Sequence, residues 1–120
     1  MRTDNQILSD SKAFALRTIR LCKYLKEEKQ VYVLSKQLLR SGTSIGANVR
    51  ESVNAQSRMD FINKLNIALK EANETEYWLE LLHESDYLND QQFESNYNDC
   101  GKIAATLTKI IKSTKAAANE

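Results

Sequence analysis

Apolar residues recur along this chain at spacings of three and four, the period of helices laid against a core, and no stretch alternates as a strand would. The first periodic stretch runs from about residue 11 to 29, with Phe14, Ala15, Ile19, Leu21, Cys22 and Leu25 as a broad apolar face. The second, about 33 to 56, repeats Leu34, Leu38, Ile45, Val49 and Val53. The third carries Phe61, Leu65, Ala68, Ala72, Thr75, Leu79 and Leu82 in unbroken steps of four and three. The fourth carries Phe93, Tyr97, Cys100, Ala104, Leu107 and Ile111. Four long helices are predicted, each about 30–40 Å at 1.5 Å per residue.

The breaks between these stretches carry boundary chemistry. Ser57 followed by Asp60, and Asn89 followed by Gln92, resemble capping boxes at the starts of the third and fourth helices. A turn through Ser85, Asp86 and Tyr87 precedes the fourth helix, and Gln30-Val31-Tyr32 forms the first connection, with no good cap before the second helix. Lys109, Lys112 and Lys115 suit the negative end of the last helix. Short loops between long helices imply antiparallel neighbours. The expected architecture is all-α, an antiparallel up-down four-helix bundle forming one domain over residues 1–120. The absence of proline and a count of only three glycines agree with uninterrupted helices rather than sandwiches, barrels or linkers.

Charge adds an asymmetry that the net value of +1 conceals. Residues 1–58 hold eleven Lys and Arg against five Asp and Glu, whereas residues 59–120 hold six against eleven. The halves therefore carry +6 and −5. Such a split permits pairing within the subunit, pairing between subunits, or a positive surface for an anionic partner. The segment Met1-Arg2-Thr3-Asp4-Asn5-Gln6 has no apolar run of a signal peptide, and no run approaches a membrane span, so a cytoplasmic location is expected. Cys22 and Cys100, distant in sequence, read as small buried hydrophobes in a reducing compartment.

Catalytic chemistry finds little footing. His83 is the one histidine, with Glu80 three positions before it as its nearest helical carboxylate. No nucleophile, phosphate loop or metal-ligand spacing accompanies it. Glu80-Leu81-Leu82-His83 matches the Glu-x-x-His element of di-metal bundles once, where two copies are needed. The reading is non-enzymatic, with no catalytic residue, metal or cofactor.

The second helix is more informative. Gln37, Ser44, Asn48 and Glu51, with Arg40, form a polar row beside the apolar stripe, which reads as a buried polar network fixing helix register. Gly42, Gly46, Ser41 and Ala47 allow close approach of another helix, and Arg40 and Arg50 exclude a membrane dimer. The third helix carries a second apolar row, Ile67, Trp78 and Leu81, and the fourth adds Ile103 and Ile110. This surplus over one stripe per helix marks Ile67, Trp78 and Leu81 as a candidate oligomer interface. Arg17, Arg20, Lys23, Arg40, Arg50 and Arg58 are the candidate phosphate contacts, effective when repeated around an assembly.

Three stretches together carry a family resemblance. They are Leu39-Arg40-Ser41-Gly42-Thr43-Ser44-Ile45-Gly46-Ala47-Asn48-Val49-Arg50-Glu51, Asp60-Phe61-Ile62-Asn63-Lys64-Leu65-Asn66-Ile67-Ala68, and Tyr77-Trp78-Leu79-Glu80-Leu81-Leu82. Over nearly the whole chain the sequence resembles the small four-helix bundle proteins of the 23S rRNA intervening-sequence family. The resemblance implies a bundle that assembles into a ring, a homopentamer. It further implies a nucleic-acid-binding accessory or scaffold of RNA or retroelement processing, with RNA or DNA and a reverse transcriptase as partners. The alternative is a protein-protein interaction module with no nucleic-acid role.

Overall fold

A computed structural model of the chain describes residues 2–118; the expected domain bounds of 1–120 include Met1, Asn119 and Glu120, which lie outside the described residues. Four helices account for nearly all of the described chain: α1 (Asn5–Lys29), α2 (Val33–Ser52), α3 (Arg58–Glu84) and α4 (Asp90–Ala118). No strand occurs among the described residues. The helices pack side by side into a rod of 51 × 21 × 20 Å. α2 lies between α1 and α3, α3 between α2 and α4, and α1 meets α4 along a shorter seam.

Local chemistry explains most boundaries. Ser57 caps α3, its side chain accepting from the Asp60 N–H at 3.0 Å, while Asp60 Oδ2 accepts from the Gln56 N–H at 3.2 Å. Asn89 and Gln92 exchange side-chain and backbone hydrogen bonds of 2.8 and 2.9 Å, a reciprocal capping box for α4. Two boundaries differ from the sequence expectation. α1 begins at Asn5 rather than near residue 11, because Asp4 caps it by accepting from the Gln6 N–H at 2.7 Å. α2 ends at Ser52 rather than near 56, in a turn where Val53, Asn54 and Ala55 bond back only three residues.

The two tightest turns share one device. Gln30 and Asp86 take left-handed conformations, with φ of 55° and 67°. Each lets a following N–H reach back six residues, Val31 to Leu25 at 2.9 Å and Leu88 to Leu82 at 3.2 Å. Val31 and Leu88 thereby turn inward and are buried, closing that end of the core.

Contacts between successive helices pair the beginning of one with the end of the next. Thr3 meets Ser52 at 2.7 Å, and Cys22 donates to the Ser35 carbonyl at 3.2 Å. Across α2 and α3, Thr75 donates to Ser41 at 2.9 Å and Lys64 lies 3.8 Å from Glu51. The core divides into two apolar clusters. One gathers Phe14, Ile45, Phe61, Leu65 and Leu107, and the other gathers Leu25, Leu38, Leu79, Leu82 and Leu88. Between them sits a waist of small polar side chains, Thr18, Ser41 and Thr75, all buried. Their hydroxyls are satisfied mainly by their own helices, Thr18 by the Phe14 carbonyl at 2.9 Å and Ser41 by Leu38 at 3.3 Å.

Gly42 and Gly46 face α1 at this waist. A Cβ on Gly42 would stand 2.6 Å from Thr18 Cγ2, and one on Gly46 would stand 3.2 Å from the Ser11 backbone oxygen. The helix that approaches the glycines is therefore α1 of the same chain. Gly101 differs, since nothing lies within 4 Å of an added Cβ. Gly42→Ala is expected to lower stability by about 1–3 kcal/mol through overpacking. Gly101→Ala is expected to raise it by about 0.5–1 kcal/mol through helix propensity alone. Thermal or urea melts of the two variants check both signs.

Candidate nucleic-acid interface

The six candidate cations separate by the side of the helix from which they project. Arg17 sits on the α4-facing side of α1, where its Nη1 lies 3.5 Å from Asp99 Oδ2 and 3.4 Å from the Ser95 carbonyl, and its Nη2 reaches the Ser95 hydroxyl. Arg40 sits on the α3-facing side of α2 and is clasped by Glu71, 3.0 Å from Nη1, and by Glu74 at Nη2. The hydrogen bond to Glu74, helped by the charge of Glu71, holds its guanidinium above its ordinary pKa. Exposed ion pairs of this kind contribute about 0.2–1 kcal/mol each. They neutralise both arginines locally.

Arg20, Lys23, Arg50 and Arg58 are exposed, and none lies within ion-pairing distance of a carboxylate among the described residues. Arg20, Lys23 and Arg50 belong to the outer faces of α1 and α2, where the exposed Lys12, Lys26 and Lys36 join them. Lys12 and Arg50 line one cleft between the two helices, and Lys23 and Lys26 line another. The outer side of the α1–α2 pair is thus the cationic face. Arg58 stands apart, at the start of α3.

The polar row of α2 has a different place from the one expected. Gln37, Ser44 and Asn48 are half-buried and Glu51 is exposed, so within the subunit they do not form a buried network. The row points along the α2–α3 seam, one side-step from the core. Ser44 and Asn48 bond to carbonyls of their own helix, at 2.6 and 2.8 Å, and Gln37 accepts from Arg40 at 3.5 Å. The buried polar residues are Ser35, Ser41 and Ser52 on α2, with Ser11 and Thr18 on α1, Thr75 on α3 and Asn96 on α4. Helical position decides this, because Ser41 and Ser52 fall within the apolar stripe and Ser44 and Glu51 fall beside it.

Ile67, Trp78 and Leu81 are half-buried. Trp78 packs against the cluster of Leu38, Leu79 and Leu82, and its indole N–H is buried with no acceptor among the described residues. Ile103 belongs to the core rather than to a surplus row, at 4% exposure. The large apolar side chains left open lie elsewhere: Leu16 and Ile19 on α1, Leu39 on α2 and Tyr77 on α3, together with Tyr32, Val33, Val53, Met59 and Tyr87 at or near the helix ends and turns. Ile19 had been assigned to the core face of the first helix. It sits about 100° from the line of Phe14, Thr18 and Cys22, on the flank toward α2.

His83 lies in a cleft of about 350 Å³ at the turn between α3 and α4, beside Tyr24, Lys29 and Tyr87. Its Nε2 is 2.7 Å from Asp90 Oδ1, and its ring stacks on Phe93 with centroids 4.2 Å apart. Glu80, the helical neighbour suggested by spacing, instead accepts from the Tyr97 hydroxyl at 3.0 Å. That hydrogen bond, with burial, pushes the Tyr97 phenol up to about 12. Sequence spacing misses the Asp90 partner because it comes from the next helix, across the left-handed Asp86. Burial pushes the Cys22 thiol up to about 11 and the Cys100 thiol to about 12, which suits packing rather than nucleophilic chemistry. No group of three His, Cys, Asp or Glu converges for a metal among the described residues.

The sequence pattern of the family described as 23S rRNA-intervening sequence protein matches residues 3–109. The chain belongs to that family. A crystal structure of a protein of unknown function from the S23 ribosomal protein family of Bacteroides thetaiotaomicron superposes with a TM-score of 0.90. It is 58% identical, and the match covers 92% of this chain and 98% of that one. No curated protein matches the chain. For this member of the intervening-sequence family, the match spans α1, α2, α3 and most of α4, so the family pattern is the bundle itself.

Two outcomes follow from the interior of this site. Trp78→Phe keeps the ring and removes the orphaned donor, whose desolvation costs about 1–3 kcal/mol. Its melting temperature should equal or exceed that of the parent, whereas Trp78→Ala should lose about 3–5 kcal/mol. Burial above all raises the Glu76 carboxyl above its ordinary pKa, with the Glu80 charge adding to it. The folded state then holds this proton more tightly than the unfolded state does, so Glu76 is a penalty once it ionises and costs nothing while protonated. Glu76→Gln should therefore melt higher than the parent at neutral pH, the difference closing as pH falls toward the carboxylate range of about 4.

Proposed function

We propose that this chain is a non-enzymatic, cytoplasmic, ring-forming bundle of antiparallel helices that binds the nucleic-acid backbone, an accessory or scaffold of RNA or retroelement processing. The observation that carries this reading is the unpaired cationic face of α1 and α2, with Arg20, Lys23 and Arg50 exposed. Family membership supplies the ribosomal-RNA context through the family's own description. The pairing of Thr3 with Ser52, Cys22 with Ser35 and Lys64 with Glu51, helix beginnings with helix ends, supports the antiparallel arrangement, and the resemblance supports five copies in the ring.

The mechanism asked of the protein is electrostatic. Each phosphate neutralised by a lysine or arginine releases condensed counterions, so affinity grows with the number of contacts and falls with salt. One subunit offers a handful of cations, and a ring multiplies them without any new chemistry. No side-chain set on the α1–α2 face is arranged to read base edges, so binding is independent of sequence. Arg17 and Arg40 contribute less than the exposed four, because Asp99, Glu71 and Glu74 already hold them.

Binding of a long RNA or duplex is expected to weaken on the order of 100-fold between 50 and 200 mM salt for three to four phosphate contacts per site. Arg20→Glu with Lys23→Glu should abolish retention at low salt, with solution mass and helix content unchanged. Binding indifferent to salt, or unaltered by the double reversal, overturns the nucleic-acid reading and leaves a protein-interaction module.

A further inference from the structure

The aliphatic side chains left open in mid-helix gather along one seam. Leu16 and Ile19 on α1, each 47% exposed, and Leu39 on α2, at 37%, stand along the outer side of that helix pair. Tyr77 on α3 apart, the remaining open large apolar side chains lie at helix ends and turns. Two clefts follow the seam. Leu8, Ala15, Thr43, Gly46 and Ala47 belong to the lining of one, of about 320 Å³, and Ile19, Cys22 and Leu39 to that of the other, of about 190 Å³. Ala15 and Ile19 are one turn apart on α1, as Thr43 and Leu39 are on α2, so the clefts lie end to end. From Leu8 to Lys26 the groove runs about 27 Å at 1.5 Å per residue, the length of five helical turns.

Charge along the groove has essentially one sign. Lys12 and Arg50 line the first cleft and Lys23 and Lys26 the second, against the single carboxylate of Glu27. None of the four cations lies within ion-pairing distance of a carboxylate among the described residues. A phosphate backbone answers such cations and leaves an aliphatic floor in water. An amphipathic helix answers both, with apolar side chains at steps of three and four on the floor and carboxylates toward the rim.

We propose that the α1–α2 groove takes an acidic amphipathic helix of a different protein. This goes beyond phosphate binding, since it gives the apolar floor an occupant. Among the described residues no helix of this chain fits. On α3, Glu74 is held by Arg40 and Lys70 stands in the same row, and the exposed outer positions of α4 are basic at Lys102, Lys109 and Lys112. Two facing grooves would set Lys12, Lys23, Lys26 and Arg50 against their own copies. The partner's carboxylates pair with these four cations, and its apolar stripe covers Ile19 and Leu39. Lys23 and Arg50 are then withdrawn from phosphate while Arg20, farther around α1, stays open.

Fluorescence anisotropy with three labelled peptides of about 18 residues tests the proposal. The first carries leucines at helical spacing with glutamates on the flanks. The second scrambles that composition, and the third replaces every glutamate with lysine. The first should bind the parent at least about tenfold more tightly than the other two. Ile19→Ser with Leu39→Ser keeps every charge and should weaken it on the order of 10-fold or more, whereas Tyr77→Ser on α3 should change nothing. Lys12→Glu with Lys26→Glu should shift binding toward the lysine peptide. Circular dichroism accompanies each variant, and where the double serine variant loses helix, Leu39→Gln alone replaces it. The proposal is overturned by a scrambled or lysine peptide that binds as tightly as the first, by a first peptide indifferent to the groove substitutions, or by no peptide binding at all. Those results leave the nucleic-acid reading to its own salt test. Peptide binding without retention of any RNA or duplex overturns that reading instead and leaves the groove assignment standing.

Discussion

The approach of α1 to α2 over Gly42 is the constraint on which the rest of this bundle depends. Thr18 occupies the space where a Cβ would stand on Gly42, and the Ser11 backbone presses on Gly46 in the same way. Two glycines inside a helix each cost roughly 1 kcal/mol of intrinsic propensity. They persist because the contact they permit draws two long helices together at mid-length. Everything packed on α2, including all of α3, is positioned from there.

That close approach shapes the core. With Thr18 against Gly42 and Thr75 against Ser41, the waist holds small polar side chains, and the large ones are displaced into two clusters on either side. The hydroxyls of the waist are largely satisfied by carbonyls one turn back in their own helices, so burial leaves them with partners. Thr75 to Ser41 is the hydrogen bond that crosses between helices, and it ties α3 to α2 where the packing is thinnest. A polar contact at one level marks a register in the otherwise uniform three-and-four pattern, since a slip by one turn would break the bond between the two hydroxyls and set each against apolar side chains.

The architecture was legible because the stripe residues of α3, Phe61 through Leu82, each fall where period alone puts them, and because Ser57 and Asn89 cap as their side chains dictate. What period could not resolve was the flank of a stripe. Ile19 and Ser44 both lie about one residue's rotation from a buried position, and hydropathy places the first inside and the second in a network. The neighbouring helix decides such positions, and its angle is set by Gly42 and Gly46. Asp4 shows a different limit: a short polar side chain before Asn5 extends α1 by six residues, and the apolar signal for that turn is the single residue Ile7, seven before Phe14 and buried in the core. The His83 pair with Asp90 was hidden for a third reason, that turn geometry carries one helix's first residue back over another's last turn.

Charge follows the same logic of flanks. A cation on the side of a helix facing a carboxylate-bearing neighbour is neutralised inside the subunit, as Arg17 and Arg40 are. α1 and α2 are themselves neighbours, so their shared outer side has no acidic helix to face. The excess of +6 in residues 1–58 is therefore only partly cancelled by the −5 of residues 59–120 within one chain, despite the near-neutral total. Repulsion among Lys12, Lys23, Lys26 and Arg50 persists in the free subunit, and anything that brings negative charge to that side relieves it. Arg20 lies farther around α1 than the α1–α2 seam, so a partner filling the clefts that Lys12, Lys23, Lys26 and Arg50 line still leaves a cation outside them.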